Sequence, residues 1–202
     1  MSIKSCNWIM KSNSGNTLVS TETKLFSDCR EIYIIGEIND EMMVRFFQQV
    51  RVLLSENADE PINLYIDSSG GEIRAGLAMY EMLLSVQEKT EVNIYCLSKA
   101  CSMAAVLLAA GKKGHRFLEK HSEVMIHEPL ISAMSRESRS TSTMRSITAS
   151  LEKSKKTIDE ILAKHTEKSI KDIAKATSFD NFMSADEAIA FGIADAIVAP
   201  FE

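Results

Sequence analysis

Apolar and polar positions divide the chain into stretches of different character. Residues 1–30 scatter single apolar residues among Ser, Thr, Asn and Lys without a sustained period, so an N-terminal arm or irregular segment is expected there. Glu31 to Ile38 (Glu-Ile-Tyr-Ile-Ile-Gly-Glu-Ile) then reads as a buried strand, rich in β-branched residues and broken by Gly36. Asn39 or Asp40 can cap the following helix, because a short side-chain oxygen satisfies free backbone N–H groups. Met43, Phe46, Phe47, Val50 and Leu54 recur along it at helical spacing.

The unit repeats. A strand over Ile62–Asp67 runs through Ser68-Ser69-Gly70-Gly71 into a helix carrying Ile73, Leu77, Tyr80 and Leu84. A strand over Val92–Leu97 runs through Ser98–Met103 into an Ala-rich helix ending near Gly111, and Arg116–Leu118 and Val124–His127 read as short strands. Repeated strand–loop–helix order requires crossover connections, which implies an α/β domain with a largely parallel sheet. From about Thr143 the pattern becomes one long charged helix. Met144, Ile147, Leu151, Ile158, Ile161 and His165 form a narrow apolar seam along it, fit to dock on another helix of a second subunit or on its own domain. Ser169-x-x-Asp172 and Ser184-x-x-Glu187 have the form of capping boxes that start two short helices, with Asp180 in the loop between them.

Composition narrows the function classes. With 202 residues, 45% apolar and 25% charged, the chain fits one ordinary globular domain. A net charge of -5 argues against a nucleic-acid partner, which needs clustered Lys and Arg. No Gly-rich phosphate loop is present, so any ATP use would belong to a partner. The apolar run Met103–Ala110 is too short to cross a membrane, and the first residues show no signal-peptide pattern. Cys6, Cys29, Cys96 and Cys101 form no zinc-like cluster; they read as small buried hydrophobes in a reducing cytoplasm, with no metal or cofactor implied.

Several residues can carry chemistry. Ser102 stands where a strand ends and a helix begins, a position that taken alone belongs more often to a helix cap than to a nucleophile beside unpaired N–H groups. Its neighbour Cys101 is a nucleophile by type and a packing residue by context. His127 ends a buried-looking strand, whereas His121 falls in a polar turn, His165 on the helix seam and His115 in a basic stretch. Asp180 alone has the character of a loop aspartate. Gly70-Gly71 lets backbone approach a ligand closely, at the strand ends where α/β sheets bind ligands.

Taken together, Asp67-Ser-Ser-Gly-Gly71, Ala100-Cys-Ser-Met-Ala104, Met125-Ile-His-Glu-Pro129 and Asp180-Asn-Phe-Met-Ser-Ala-Asp-Glu-Ala188 resemble the proteolytic subunit of Clp protease (ClpP) over roughly residues 31–198. The resemblance implies a ClpP/crotonase-like fold: one domain over 31–202, with a head of about 31–130 and 176–202 and a protruding handle of about 131–175. It implies a serine endopeptidase with Ser102 as nucleophile, His127 as general base and then acid, and Asp180 orienting the imidazole. The backbone N–H groups of Gly71 and Met103 would form the oxyanion hole. Such subunits stack as two seven-membered rings, bind an extended peptide as an added strand, and receive unfolded chains from an AAA+ Clp ATPase.

Departures mark the chain as a divergent paralogue. Ser69 stands where the family usually has Pro, and Ala104 where it has Gly. Ser178 and Phe179 replace an acidic–basic pair that couples ring stacking to catalysis, and Ile131–Ser138 replaces a Gly-rich strand. Asn63 replaces an aromatic of the ATPase-docking cleft, Tyr65 is kept, and residues 1–30 offer no clear counterpart of the axial pore loop. Alternatives of the same framework are a non-catalytic or regulatory ring subunit, a prophage-type capsid-maturation protease, a Ser–Lys dyad through Lys99, and a crotonase-like acyl-CoA enzyme built on Glu or Asp bases.

Overall fold

A computed structural model describes residues 7–12, 15–130 and 140–199. The central sheet is largely parallel. Strands β3 (Glu31–Ile35), β4 (Ile62–Ser68), β5 (Val92–Cys101), β6 (Arg116–Leu118) and β9 (Ala196–Ile197) lie side by side in that order. Strand β5 is long enough to serve two neighbours on one edge. Its first half pairs with β6 and its last residues with β7 (Glu123–Ile126), both parallel. Strand β8 (Asn181–Ser184) closes this end, antiparallel to β7.

Alternation along β4 and β5 sets the two faces of the sheet. Ile62, Leu64 and Ile66 on β4, and Val92, Ile94 and Cys96 on β5, are buried under helices α2 (Asp40–Glu56), α3 (Ile73–Gln87) and α4 (Met103–Ala109). Every residue of α4 is buried, which makes it the centre of the core. The opposite face carries half-buried rings. Tyr33, Tyr65, Tyr95 and Phe117 stack across four strands at 5.1–5.2 Å between centroids, about the spacing of paired strands. Parallel sheets are usually covered on both faces, and here the rings of this face stay only half-buried among the described residues.

Helix α2 turns inward much of the face its spacing suggested, shifted towards Met42 and Leu53 and away from Phe47. Met42, Phe46, Val50 and Leu53 are buried, Met43 and Leu54 are only partly so, and Phe47 is 41% exposed. The Asn39 side chain accepts a hydrogen bond from the Met42 N–H, which caps the helix where it starts at Asp40.

Of the two N-terminal expectations, an arm or an irregular segment, the second is not met: the described residues are regular rather than irregular. Strands β1 (Asn7–Ser12) and β2 (Gly15–Ser20) pair as an antiparallel hairpin, and α1 (Thr21–Cys29) follows, capped by Ser20. The hairpin pairs with nothing but itself and leaves Trp8, Ile9 and Leu18 exposed, so it never shows the alternation that a core-facing strand would. Arg30 then takes the left-handed conformation, and its guanidinium donates to the carbonyls of Leu53, Asn57, Pro61 and Glu60. This ties the end of α2 to the start of β4.

Helix α5 (Thr141–Thr166) is long, and its seam is divided. Ile158 and Ile161 are buried in the chain's own core, together with Leu162, whereas Met144 is exposed and Ile147 and Leu151 are half-buried. Helices α6 (Ile170–Ala176) and α7 (Ala185–Phe191) follow, and Ser184 and Glu187 make the reciprocal capping box. Arg116 pins the C-terminal segment: its guanidinium meets Asp195 and the carbonyls of Ala109, His165 and Gly192. The replaced Gly-rich strand, Ile131–Ser138, and Cys6 lie outside the described residues.

His165, at the end of α5, meets the Tyr80 hydroxyl through Nε2 at 3.1 Å. Burial first, and then the charges of Lys164 and Arg116, push its pKa down to about 4. The folded chain therefore holds a neutral imidazole that the unfolded chain would protonate. Its contribution is complete above the ordinary value of 6.5 and is lost as pH falls from there towards about 4. Stability measured by urea unfolding should drop by on the order of 2–3 kcal/mol across that window, and less in a His165→Gln variant.

Candidate active site

Ser102 occupies the junction of β5 and α4 with φ 55° and ψ −123°, a conformation that side-chain-bearing residues avoid. Two contacts hold it. The Ser102 N–H donates to the Met125 carbonyl at 2.7 Å, and Gly70 packs against the other side. A Cβ on Gly70 would stand 2.7 Å from both the Cys101 carbonyl oxygen and Ser102 Cβ. Although Ser102 occupies the cap position, its hydroxyl makes no capping bond. Oγ lies instead 2.9 Å from His127 Nε2.

Strand register brings the imidazole there. Lys99, Ala100 and Cys101 pair with Glu123, Val124 and Met125, so the residues following β7 run past the serine. Ile126 pairs with Asn181 across to β8, and the antiparallel register sets Asp180 beside His127. His127 Nδ1 and Asp180 Oδ1 are 3.1 Å apart. The histidine side chain is 14% exposed and the aspartate 62%. A hydroxyl, an imidazole and a carboxylate in one hydrogen-bonded line can pass a proton from the hydroxyl to the ring while the carboxylate steadies the ring's other nitrogen.

Backbone completes the constellation. The Ile38 N–H donates to the Gly70 carbonyl at 2.9 Å, and the Glu72 N–H donates to the Ile38 carbonyl at 2.8 Å. This clasp leaves no room for a side chain on Gly71, where a Cβ would stand 2.1 Å from the Ile38 oxygen. The N–H groups of Gly71 and Met103 donate no hydrogen bond among the described residues. Both residues border a cavity of about 400 Å³ with Ser102 and His127, walled by Val106, Ile126, Ile158 and Leu162. Unpaired donors beside a nucleophile can hold a developing oxyanion.

The other candidates are placed elsewhere. Cys101 is buried, and burial pushes its thiol up; Cys96 is pushed up to about 12 for the same reason. Cys29 is exposed rather than buried as expected. His115 meets Asn93, and His121 is exposed in a turn. Lys99 is exposed and makes no hydrogen bond to Ser102. Glu37 and Glu72, the carboxylates an acyl-CoA chemistry would call on, stand exposed at the cavity's rim. Among the described residues no cluster of His, Cys, Asp and Glu could hold a metal.

Two parts of the site escape a linear reading. Strand β8, which delivers Asp180, has four residues and only one buried side chain, Met183. Ser68, under the glycine turn, is fully buried in phase with Ile62, Leu64 and Ile66, and the alternation marks its burial but not the turn it holds. Because the thiol beside Ser102 is buried and protonated, iodoacetamide should alkylate Cys29 in the folded protein and spare Cys96 and Cys101 until urea is added. Peptide mapping by mass spectrometry checks this, and early modification of Cys101 would contradict it.

The sequence model of the family described as Clp protease matches residues 13–200 of the 202. That span takes in β2 and α1, upstream of residue 31 where the motif resemblance began, and runs past β9. With a mixed α/β architecture, a mostly parallel sheet and a match over nearly its whole length, the chain belongs to the Clp protease family.

Proposed function

We propose that this chain is a serine endopeptidase that cleaves unfolded proteins or peptides through Ser102, His127 and Asp180. The observation that carries the reading is the continuous line from Ser102 Oγ to His127 Nε2 (2.9 Å) and from His127 Nδ1 to Asp180 Oδ1 (3.1 Å). Ser102 Oγ attacks the scissile carbonyl carbon as His127 Nε2 takes the hydroxyl proton. The carbonyl oxygen becomes an oxyanion held by the N–H groups of Gly71 and Met103, each worth roughly 10²–10³ in rate. His127 returns the proton to the departing amine, and a water, deprotonated by the same imidazole, releases the acyl group. Asp180 stays ionised and keeps Nδ1–H directed at itself, which stabilises the imidazolium as it forms. The cavity's apolar wall suits an uncharged, apolar substrate side chain.

The reading extends to assembly. The first half of α5 carries Met144, Ile147 and Leu151 on a surface that its own domain buries only in part, and a facing copy of the same helix supplies the complement. Head and handle then correspond to the sheet domain and to α5 with its flanks, stacked as two seven-membered rings in the cytoplasm. No helix of the described residues is long and apolar enough to cross a membrane. The aromatic face of Tyr33, Tyr65, Tyr95 and Phe117 is the surface on which an AAA+ Clp ATPase would dock, and Asn63 beside it lessens that surface's apolar character. Phe179, 58% exposed beside Asp180, puts apolar contact where relatives place charge.

Ser102→Ala should leave the fold intact, because the lost hydroxyl makes no structural bond besides that to His127. Cleavage of a fluorogenic peptide should fall at least ~10³-fold, and His127→Ala should cost a comparable factor because triad members act as a unit. A fluorophosphonate probe should label Ser102 in the wild type; turnover persisting in Ser102→Ala would exclude the mechanism.

Assembly is read separately. Replacing Met144, Ile147 and Leu151 together by Asp should shrink the particle in sedimentation velocity and lower activity, with the melting temperature of the domain little changed. Ile158 and Ile161 are unsuitable for this test, because both are buried inside the single chain. An unchanged sedimentation coefficient would remove α5 from the interface.

A further inference from the structure

Part of the candidate site is bare main chain: the turn through Gly70 and Gly71, and the N–H that Gly71 leaves free. Both glycines have positive φ, 89° and 154°, and glycine has little intrinsic preference that would hold such a turn. The Ile38 clasp holds it from one side. On the other side stands Ser68. The inward positions of β4 are Ile62, Leu64 and Ile66, and a hydroxyl takes the next place where the apolar pattern would continue. Ser68 is 0% exposed. Its Oγ donates to the Gly36 carbonyl at 2.5 Å and accepts the Gly70 N–H at 3.0 Å. The Gly36 N–H in turn donates to the Asp67 carbonyl at 2.9 Å. One hydroxyl thus couples the end of β3 to the turn.

We infer that Ser68 is a positioning residue for the oxyanion site, acting through Gly70 on the free N–H of Gly71; the inference rests on the peptidase reading. Gly70 is buried, so removing the hydroxyl leaves its N–H without a partner and the turn free to shift. The turn abuts the nucleophile directly, since a Cβ on Gly70 would stand 2.7 Å from Ser102 Cβ and 3.0 Å from the Met103 nitrogen. Any shift therefore changes where the Gly71 donor stands relative to the oxygen that gains charge. That charge exists only in the transition state and the tetrahedral intermediate, so the loss falls on kcat and spares KM.

The experiment compares the full-length chain with Ser68→Ala and Ser68→Cys. Active sites are titrated with a fluorophosphonate run to completion, kcat and KM are measured on an internally quenched peptide, and Ki on a peptide boronic acid that mimics the tetrahedral oxyanion. In Ser68→Ala, kcat per titrated site should fall roughly 10- to 100-fold with KM within about twofold of wild type. The boronate Ki should rise in parallel, and the acid limb of the pH–rate profile should stay in place because the His127–Asp180 pair is untouched. A per-site kcat and Ki equal to wild type, with only the number of titratable sites or the melting temperature lowered, would make Ser68 a purely structural residue and overturn the inference. A raised KM with unchanged kcat would overturn it too. Ser68→Cys, near the original size but a weak hydrogen bonder, decides the matter if Ser68→Ala does not fold: a several-fold fall in kcat supports the inference, and wild-type kcat defeats it. Wild-type protein that neither turns over peptide nor labels at Ser102 would sink the peptidase reading itself, and this inference with it.

Discussion

A non-glycine residue held at φ 55° between a strand and a helix is the constraint on which this molecule turns. Left to itself Ser102 would relax, since such a conformation costs on the order of 1–3 kcal/mol. It persists because the Met125 carbonyl fixes its N–H, Gly70 closes the opposite side and a fully buried α4 follows at once. The same strain turns the hydroxyl away from the helix N-terminus it would otherwise cap and towards His127. Core packing thus sustains a side-chain direction that local preference opposes.

The sheet supplies the other coordinates. Parallel β7 beside β5 brings the imidazole past the serine, and antiparallel β8 returns the carboxylate to the imidazole. Three residues distant in sequence meet because each stands one position beyond a strand end whose offset the backbone ladders fix. The price of the arrangement is asymmetry: serine and histidine are sheltered, while Asp180 stands 62% exposed at the edge.

Much of this could be read in advance, and the exceptions are instructive. Strands β3, β4 and β5 announce themselves through β-branched runs, and the helices after them through capping residues and period. Along α2 the period marks Phe46 and Val50, but Met42 and Met43 are equally apolar and a linear pattern does not decide which of them the core takes. The hairpin was invisible because its apolar residues face solvent, and Ile158 and Ile161 took part in a seam that the fold divides between its own core and its surface. For the site, the resemblance named Ser102, His127 and Asp180, but the strand that sets Asp180 in place is too short to have a period. The alternation of β4 puts Ser68 inward, but its hydrogen bonds to Gly36 and Gly70 depend on a turn that no period announces.

The division between backbone and side chain in this site bears on how such a chain could fall silent. The donors beside Ser102 are main-chain groups, and Gly71 is also the point where Ile38 is clasped, so altering it damages the architecture. Ser102 and His127, by contrast, could be exchanged for small or polar residues with little harm to the scaffold. A lineage that gave up chemistry while keeping its shape would erode at those two positions first, long before the glycines. Both are present here, together with the positive φ that aims the Ser102 hydroxyl at His127.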